Sequence, residues 1–310
     1  MYYLGTLMLY FEIADITFSL DYYEYDDIKE DIFIITHLHK HLLEYICKPD
    51  ISDYTIKFSY DSKEYNGNEK TIASYQFYKV YEFYQTIRFA FWQPRYGVSS
   101  RYIYSTIDLP KNWENAKFTD YITKKERFSN VACVGTFVGL CLYVQGVLLR
   151  HNSFFVHGVA LQYEDKGLIF SAASGVGKTT HTNFWAENFG AEILNGDTPI
   201  IKLVDGKPFI YGSPWCGTSD ISVNKNVPLD AVVIISRGTE NKIRKLSKFE
   251  ALGYLLPHIR RPAWDAESVN LALDHCETLI NTISVYKLEC LPNSDAAEVA
   301  SRGILELNEH

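Results

Sequence analysis

The run Ser174-Gly175-Val176-Gly177-Lys178-Thr179-Thr180 joins small residues to one lysine and several hydroxyls. Small residues let backbone N–H groups wrap around an anion without Cβ clashes. A helix starting at Lys178 adds free N–H groups and a positive dipole end. Lys178 is spaced to reach the β- and γ-phosphates of a nucleoside triphosphate, and the Thr179 hydroxyl to bind Mg²⁺. The consensus for such a loop, G-x-x-x-x-G-K-[ST], begins with glycine. Here that position is Ala172, which fits if its φ is negative. The implied cofactors are ATP and Mg²⁺.

Other residues carry complementary chemistry. Asp197 follows the strand after the loop's helix, where a Mg²⁺-binding or proton-accepting carboxylate is expected in nucleotide-binding α/β proteins. His157 is read in the strand before the loop, as a candidate pocket residue. Trp215, in the turn Gly212-Ser213-Pro214-Trp215-Cys216-Gly217, is a candidate cap on a substrate pocket. Arg237, Arg260 and Arg261 are candidates for neutralising charge on a transferred phosphoryl group. Cys216 has no histidine placed near it by the sequence and is discounted as a nucleophile.

Positioning these residues requires a strand, a loop and a helix in succession. Leu168, Ile169 and Phe170 form a short apolar run ahead of the loop. The segment Lys178–Phe189 reads as a helix ended by Gly190 at its C′ position. Around them, Phe154–Tyr163, Gly167–Ser171, Ala191–Asn195 and Asp230–Ser236 read as strands. Pro199–Val204 and Lys207–Tyr211 flank Asp205-Gly206, a hairpin signal. Ser247-Lys248-Phe249-Glu250 is a capping box opening a helix. Ala266–Ser284 reads as a helix, Val285–Leu291 as a strand and Asp295–Leu307 as a closing helix.

The first part of the chain differs in composition. Eighteen of the 23 tyrosines precede residue 125. That shift sets an expected boundary near 120–130, giving a smaller, mixed, substrate- or partner-binding or accessory domain over 1–125 and an ATP-binding catalytic domain over 126–310. Tyr54–Tyr60 and Arg101–Ile107 read as strands of an aromatic-covered sheet. Ile28–Cys47 reads as a helix and Asn66-Gly67 as a turn. The aromatic residues are expected in a core or interface, not as a base-stacking platform. Val131–Leu149 is nineteen residues without a charge, long enough for a membrane span, and Gly135 and Gly139 would suit packing in lipid. Gln145 and Gly146 interrupt it, Arg150 follows at once, and no second span exists. A buried helix is the expectation.

At 310 residues the chain suits one large or two ordinary domains, and 47% apolar residues supply a substantial core. A formal charge of −8 and a pI near 5.6 argue against broad binding to nucleic acid or anionic membranes. Six scattered cysteines without a C-x-x-C pair suggest a reducing cytoplasm, mostly buried thiols and no zinc site. The first twenty residues lack a basic segment and contain Glu12 and Asp15, so no signal peptide is expected.

Five motifs in order carry a family resemblance: Val156-His157-Gly158; Ser174-Gly175-Val176-Gly177-Lys178-Thr179-Thr180-His181; Trp185; Ile193-Leu194-Asn195-Gly196-Asp197; and Gly212-Ser213-Pro214-Trp215-Cys216-Gly217. Together they resemble the catalytic domain of HPr kinase/phosphorylase-like proteins, whose fold phosphoenolpyruvate carboxykinase shares. The resemblance covers about residues 150–300. It implies an α/β fold with a phosphate-binding loop and an ATP-dependent serine kinase, and some relatives phosphorylate precursor peptides. Lys178 and Thr179 would then hold phosphates and Mg²⁺, with Asp197 as the catalytic carboxylate and His157 in the pocket. Two features depart from HPr kinase itself. The usual paired aspartates are Gly196-Asp197 here, and no C-terminal segment matches the one that contacts HPr. The expected acceptor is a serine on a peptide or protein. Rival readings are a small-molecule hydroxyl kinase and a non-catalytic nucleotide sensor. A homo-oligomer is compatible with the sequence.

Overall fold

The computed structural model describes residues 8–21, 42–48, 51–60, 69–75, 78–83, 85–94, 101–120 and 130–306. Among the described residues the chain is mixed α/β, with two sheets and five α-helices. It divides into two compact units, Met1–Val147 and Leu148–His310.

The first unit is built on an eight-stranded sheet of order β1-β2-β3-β8-β7-β6-β5-β4. Its strands are β1 (Met8–Ile13), β2 (Ile16–Asp21), β3 (Tyr54–Tyr60), β4 (Lys70–Ser74), β5 (Tyr78–Phe83), β6 (Thr86–Pro94), β7 (Arg101–Pro110) and β8 (Ala116–Asp120). The pairs β2/β3 and β3/β8 are parallel and the others antiparallel. Aromatic residues fill one face as core. Phe18 stacks on Phe11 at 5.2 Å and Phe58 on Phe118 at 5.0 Å.

Helix α1 (Asn130–Arg150) contains the uncharged run Val131–Leu149. Tyr143 meets Phe18 edge-on at 6.4 Å and gives its hydroxyl proton to the Glu114 carbonyl. Gly139 sits so close to Ile107 that a Cβ there would come within 2.5 Å of it. Leu140, Val144 and Val147 are fully buried. The two compact units divide at 147/148, inside this helix. The described contacts of this helix with the sheet, at Gly139 and Tyr143, fall within the first unit. Among the described residues no helix is long and apolar enough to cross a membrane. The expected helix at 28–47 lies mostly outside the described residues, of which 43–45 form a short 3₁₀ turn. The expected turn at Asn66-Gly67 lies wholly outside them.

The second unit contains β9 (Ser153–Phe155), β10 (Gly158–Tyr163), β11 (Lys166–Ser171), β12 (Glu192–Asn195), β13 (Ile200–Val204), β14 (Lys207–Tyr211), β15 (Asn226–Arg237), β16 (Lys242–Lys245) and β17 (Ser284–Cys290). They form one nine-stranded sheet, with order β12-β10-β11-β15-β14-β13-β9, with β17 joined to β15 and β16 to β17. Strand β15 is the hinge of this topology. Its start pairs antiparallel with β14, and the rest lies parallel to β11 on one side and β17 on the other.

Both faces of that parallel centre are covered, so its strands are continuous apolar runs. Alternation along β15 divides the core. Ala231, Val233 and Ile235 join Trp185 of helix α2 (Lys178–Phe189) and Ala297, Ala300 and Ile304 of α5 (Asp295–Glu306). Val232 and Ile234 join Ala251 and Leu255 of α3 (Lys248–Leu255) and Ala272, Cys276 and Leu279 of α4 (Ala266–Thr282). The result is a three-layer unit. The Asp205-Gly206 hairpin forms with both residues at positive φ, 50° and 77°. Ser247 and Glu250 make the reciprocal capping bonds at the start of α3. None of the five described cysteines is in a disulfide; Cys216 and Cys276 are buried, and Cys47, Cys141 and Cys290 are half-buried.

Candidate active site

The loop between β11 and α2 turns at the C-terminal ends of the parallel strands, where ligands bind in open α/β sheets. Gly175 has φ +76° and Gly177 φ +118°, backbone that residues with a Cβ rarely adopt. A Cβ at either would meet nothing within 4 Å, so both glycines face open space. Ala172 has no positive φ, which is why alanine is tolerated there. Helix α2 begins without any side-chain cap. Its first-turn N–H groups are therefore left for an anion.

The cavity beside this loop measures ≈ 480 Å³. Ser174, Gly175, Gly177, Lys178, Thr179 and Thr180 line it, opposite His157 and Asp197. Lys178 Nζ donates to the Ala172 carbonyl at 3.0 Å and lies 2.9 Å from His157 Nε2. An ammonium has only donors, so Nε2 accepts and the ring proton sits on Nδ1. That Nδ1 is buried without a hydrogen bond, 3.4 Å from Asp197 Oδ1.

His157 is not inside a strand, contrary to the sequence reading. The expected strand 154–163 breaks at Val156-His157 into β9 and β10. There the backbone changes partners. Val156 N donates to the Pro199 carbonyl, His157 N to His258 and Gly158 N to Asp197. Gly158 packs so closely that a Cβ would lie 2.9 Å from the Phe170 carbonyl. The break brings His157 to the cavity.

Asp197 is held from several sides. Thr198 Oγ1 donates to its Oδ2 at 2.8 Å and Arg260 Nη2 at 3.1 Å. Burial alone would raise its pKa, but His157, Thr198 and Arg260 outweigh burial and hold the carboxyl below its usual value. Lys178 is shifted down by burial and by the Arg260 charge, against the opposing pull of Asp197.

Three residues of this arrangement escaped the sequence reading. Asn195, fully buried, accepts through Oδ1 from the N–H groups of Asp197 and Thr198 at 3.0 and 2.7 Å. Its Nδ2 donates to the Ser213 carbonyl at 2.8 Å. The Asn-Gly-Asp-Thr string is a legible Asx-turn signal. Thr198 is the second. His258, whose ring lies 6.4 Å from that of His157, arrives from the segment after α3 and left no signal. Burial and the nearby His157 and Lys178 lower its pKa.

The remaining candidates separate. Arg260 reaches Asp197. Val176 and Arg237 line a neighbouring cavity, and Arg237 Nη2 donates to the Gly175 carbonyl at 2.8 Å. Arg261 lies outside the arrangement, donating to the carbonyls of Leu256 and Ile259. Trp215 is no cap. It is 7% exposed and packs edge-on against Phe155 at 5.4 Å.

The residues present fit a nucleoside triphosphate with a hard cation. The loop offers uncapped N–H groups, and buried donors without partners, His157 Nδ1 and Arg260 Nε, flank Asp197. Thr179 and Asp197 are oxygen donors on one cavity, and Mg²⁺ commonly takes one or two protein oxygens beside phosphate and water. No cluster of three or more His, Cys, Asp or Glu that could hold a metal occurs among the described residues.

No family model matches the chain, and no curated protein matches it. Among solved structures, 77 chains match. One is the Hpr(Ser) kinase/phosphatase from Coxiella burnetii, a weak likeness with 9% identity and a TM-score of 0.31, covering 50% of this chain and 98% of that one.

Proposed function

We propose that this chain is an ATP-dependent kinase of the HPr kinase-like type. It transfers the γ-phosphoryl group to a serine hydroxyl of a peptide or protein, with ribosomally made precursor peptides as one acceptor class. The observation that supports this best is the convergence of Lys178, His157 and Asp197 on one cavity beside an uncapped helix start. Lys178 and the loop N–H groups hold the phosphates. Thr179 and Asp197 would hold Mg²⁺, whose charge offsets that of the transferred group. Asp197, kept ionised by its neighbours, orients the acceptor hydroxyl and takes its proton. Arg260 stands beside it to balance charge. A second carboxylate does not fit at position 196, where any Cβ would collide with Ser219. One carboxylate therefore serves.

The test is mass spectrometry of serine-containing peptides incubated with the chain, ATP and Mg²⁺. Addition of one phosphoryl group is expected. Asp197→Asn should slow it by at least ~10²-fold, the low end for losing a general base. Metal-free ATP binding should be kept, because Lys178 and the loop are intact. Near-normal turnover in Asp197→Asn would move the catalytic carboxylate elsewhere. Transfer confined to small alcohols would overturn the peptide acceptor.

A further inference from the structure

One row of charged residues across the sheet of the first unit is out of balance. Lys57 on β3 and Lys117 on β8 are register partners, and Lys117 is in turn the partner of Asp108 on β7. Neighbouring strands lie ~4.8 Å apart. The two lysines therefore leave the sheet side by side on one face, an arrangement that costs stability when nothing offsets it. The carboxylates nearby do not offset it. Asp108 accepts from Arg88 Nε through one oxygen at 2.5 Å and from Arg88 Nη2 through the other at 2.8 Å. Asp21, the partner of Lys57 on β2, makes no ion pair with it. Both lysines are exposed, and among the described residues neither has a hydrogen-bond or ion-pair partner.

The two lysines line a cavity of ≈ 510 Å³ where β3, β6 and β8 begin and β7 ends. Its other polar groups also have protons to give. Asn115 Oδ1 accepts from Thr55 N at 2.8 Å, which leaves the amide Nδ2 hydrogens for another acceptor. Thr55 Oγ1 accepts from Ser19 Oγ at 3.1 Å, so its own proton is left to donate. The Thr86 hydroxyl has no partner among the described residues. Asp108 is the one carboxylate among the described lining residues, and both its oxygens are already bonded. The cavity offers donors and positive charge.

Sites for small molecules are mostly apolar and bury most of their ligand. Here the lysines are exposed, which suits a chain laid across a groove. We propose that this groove binds an acidic peptide segment through two of its carboxylates. In an extended peptide alternate side chains point the same way, ~7 Å apart at ~3.3–3.4 Å per residue. Two flexible lysines on adjacent strands span that distance. The peptide class of the ligand rests on the acceptor reading above, whereas the groove is a feature of the first unit alone. In a chain of net charge −8, this pair of unmatched cations gives an acidic ligand a local attraction against the general field.

The test is fluorescence anisotropy of a labelled peptide of alternating glutamate and glycine, and of its glutamine counterpart, titrated with the full chain at low salt without nucleotide. The glutamate peptide should bind at least ~10-fold more tightly, a conservative figure for two charge-assisted hydrogen bonds. Lys57→Gln combined with Lys117→Gln should erase that preference. The same charge removed at Lys242 and Lys245, exposed on β16, should leave it in place. Because the first pair of lysines is unmatched, its double variant should melt no lower than the parent. Inorganic phosphate at matched ionic strength should not displace the peptide. A preference that survives in the first double variant, or falls equally in the second, would overturn the inference. A lowered melting temperature in the first would contradict the unmatched pair on which it stands. Displacement by phosphate would make the groove a site for any small oxyanion and overturn the peptide. ATP titrated in parallel separates the two readings: a chain that binds ATP without preferring the glutamate peptide loses the groove and keeps the phosphate loop.

Discussion

Within the site, each ionisable side chain is set by the next. Lys178 donates to His157, which fixes the imidazole proton on the side facing Asp197. The second titratable device is His181. Its Nε2 accepts from Trp185 Nε1 at 3.1 Å inside the core, and burial pushes its pKa down to about 4. An unfolded histidine binds its proton near pH ~6.5. Between those values the unfolded chain holds the extra proton, so stability is complete above pH ~6.5 and declines as pH falls toward 4. The loss should reach about 3 kcal/mol, at 1.36 kcal/mol per pKa unit. Urea titrations at pH 7 and pH 4.5 should show a smaller difference for His181→Gln, which keeps an acceptor for Trp185 but does not titrate. Equal pH dependence in both proteins would contradict the assignment. Asp197 adds a loss of the same sign at lower pH, since its carboxyl is held below its usual value.

Among the elements, the seating of α1 is the most exposed to test. A Cβ on Gly146 would collide with the ring of Trp113, which is 1% exposed and itself at φ 59°. Gly146→Ala should therefore cost about 1–3 kcal/mol by overpacking. Gly253→Ala in α3, where a Cβ meets nothing within 4 Å, should be neutral or gain up to ~1 kcal/mol. Thermal melts of the two variants read the contrast; equal melting temperatures would mean that α1 does not pack there. Elements with local signals were legible in the sequence: α2 with its Gly190 end, the Asp205-Gly206 hairpin and the Ser247 cap. The break at His157 was not. Its cause is long-range, the backbone bonds to residues 197, 199 and 258, and no local periodicity encodes them. Strand β16, with the charged sequence Lys242–Lys245 at the sheet edge, gave no apolar alternation to read.

Over the whole molecule, the tyrosine-rich first part was visible as composition, and the two compact units divide at 147/148. The candidate site was legible where a contiguous motif carries it, at 174–180, and at Asp197. Its supports from distant segments, Arg260 and His258, become specific only through the fold. The account stands on the loop binding nucleotide phosphates through Lys178. The most direct measurement is calorimetric titration of ATP into the full chain and into Lys178→Ala. Charge-assisted hydrogen bonds contribute ~1.5–3 kcal/mol each, so the variant should bind at least ~10-fold more weakly while its circular dichroism and melting temperature stay near those of the parent. Equal affinity for ATP in a folded Lys178→Ala protein would contradict the account.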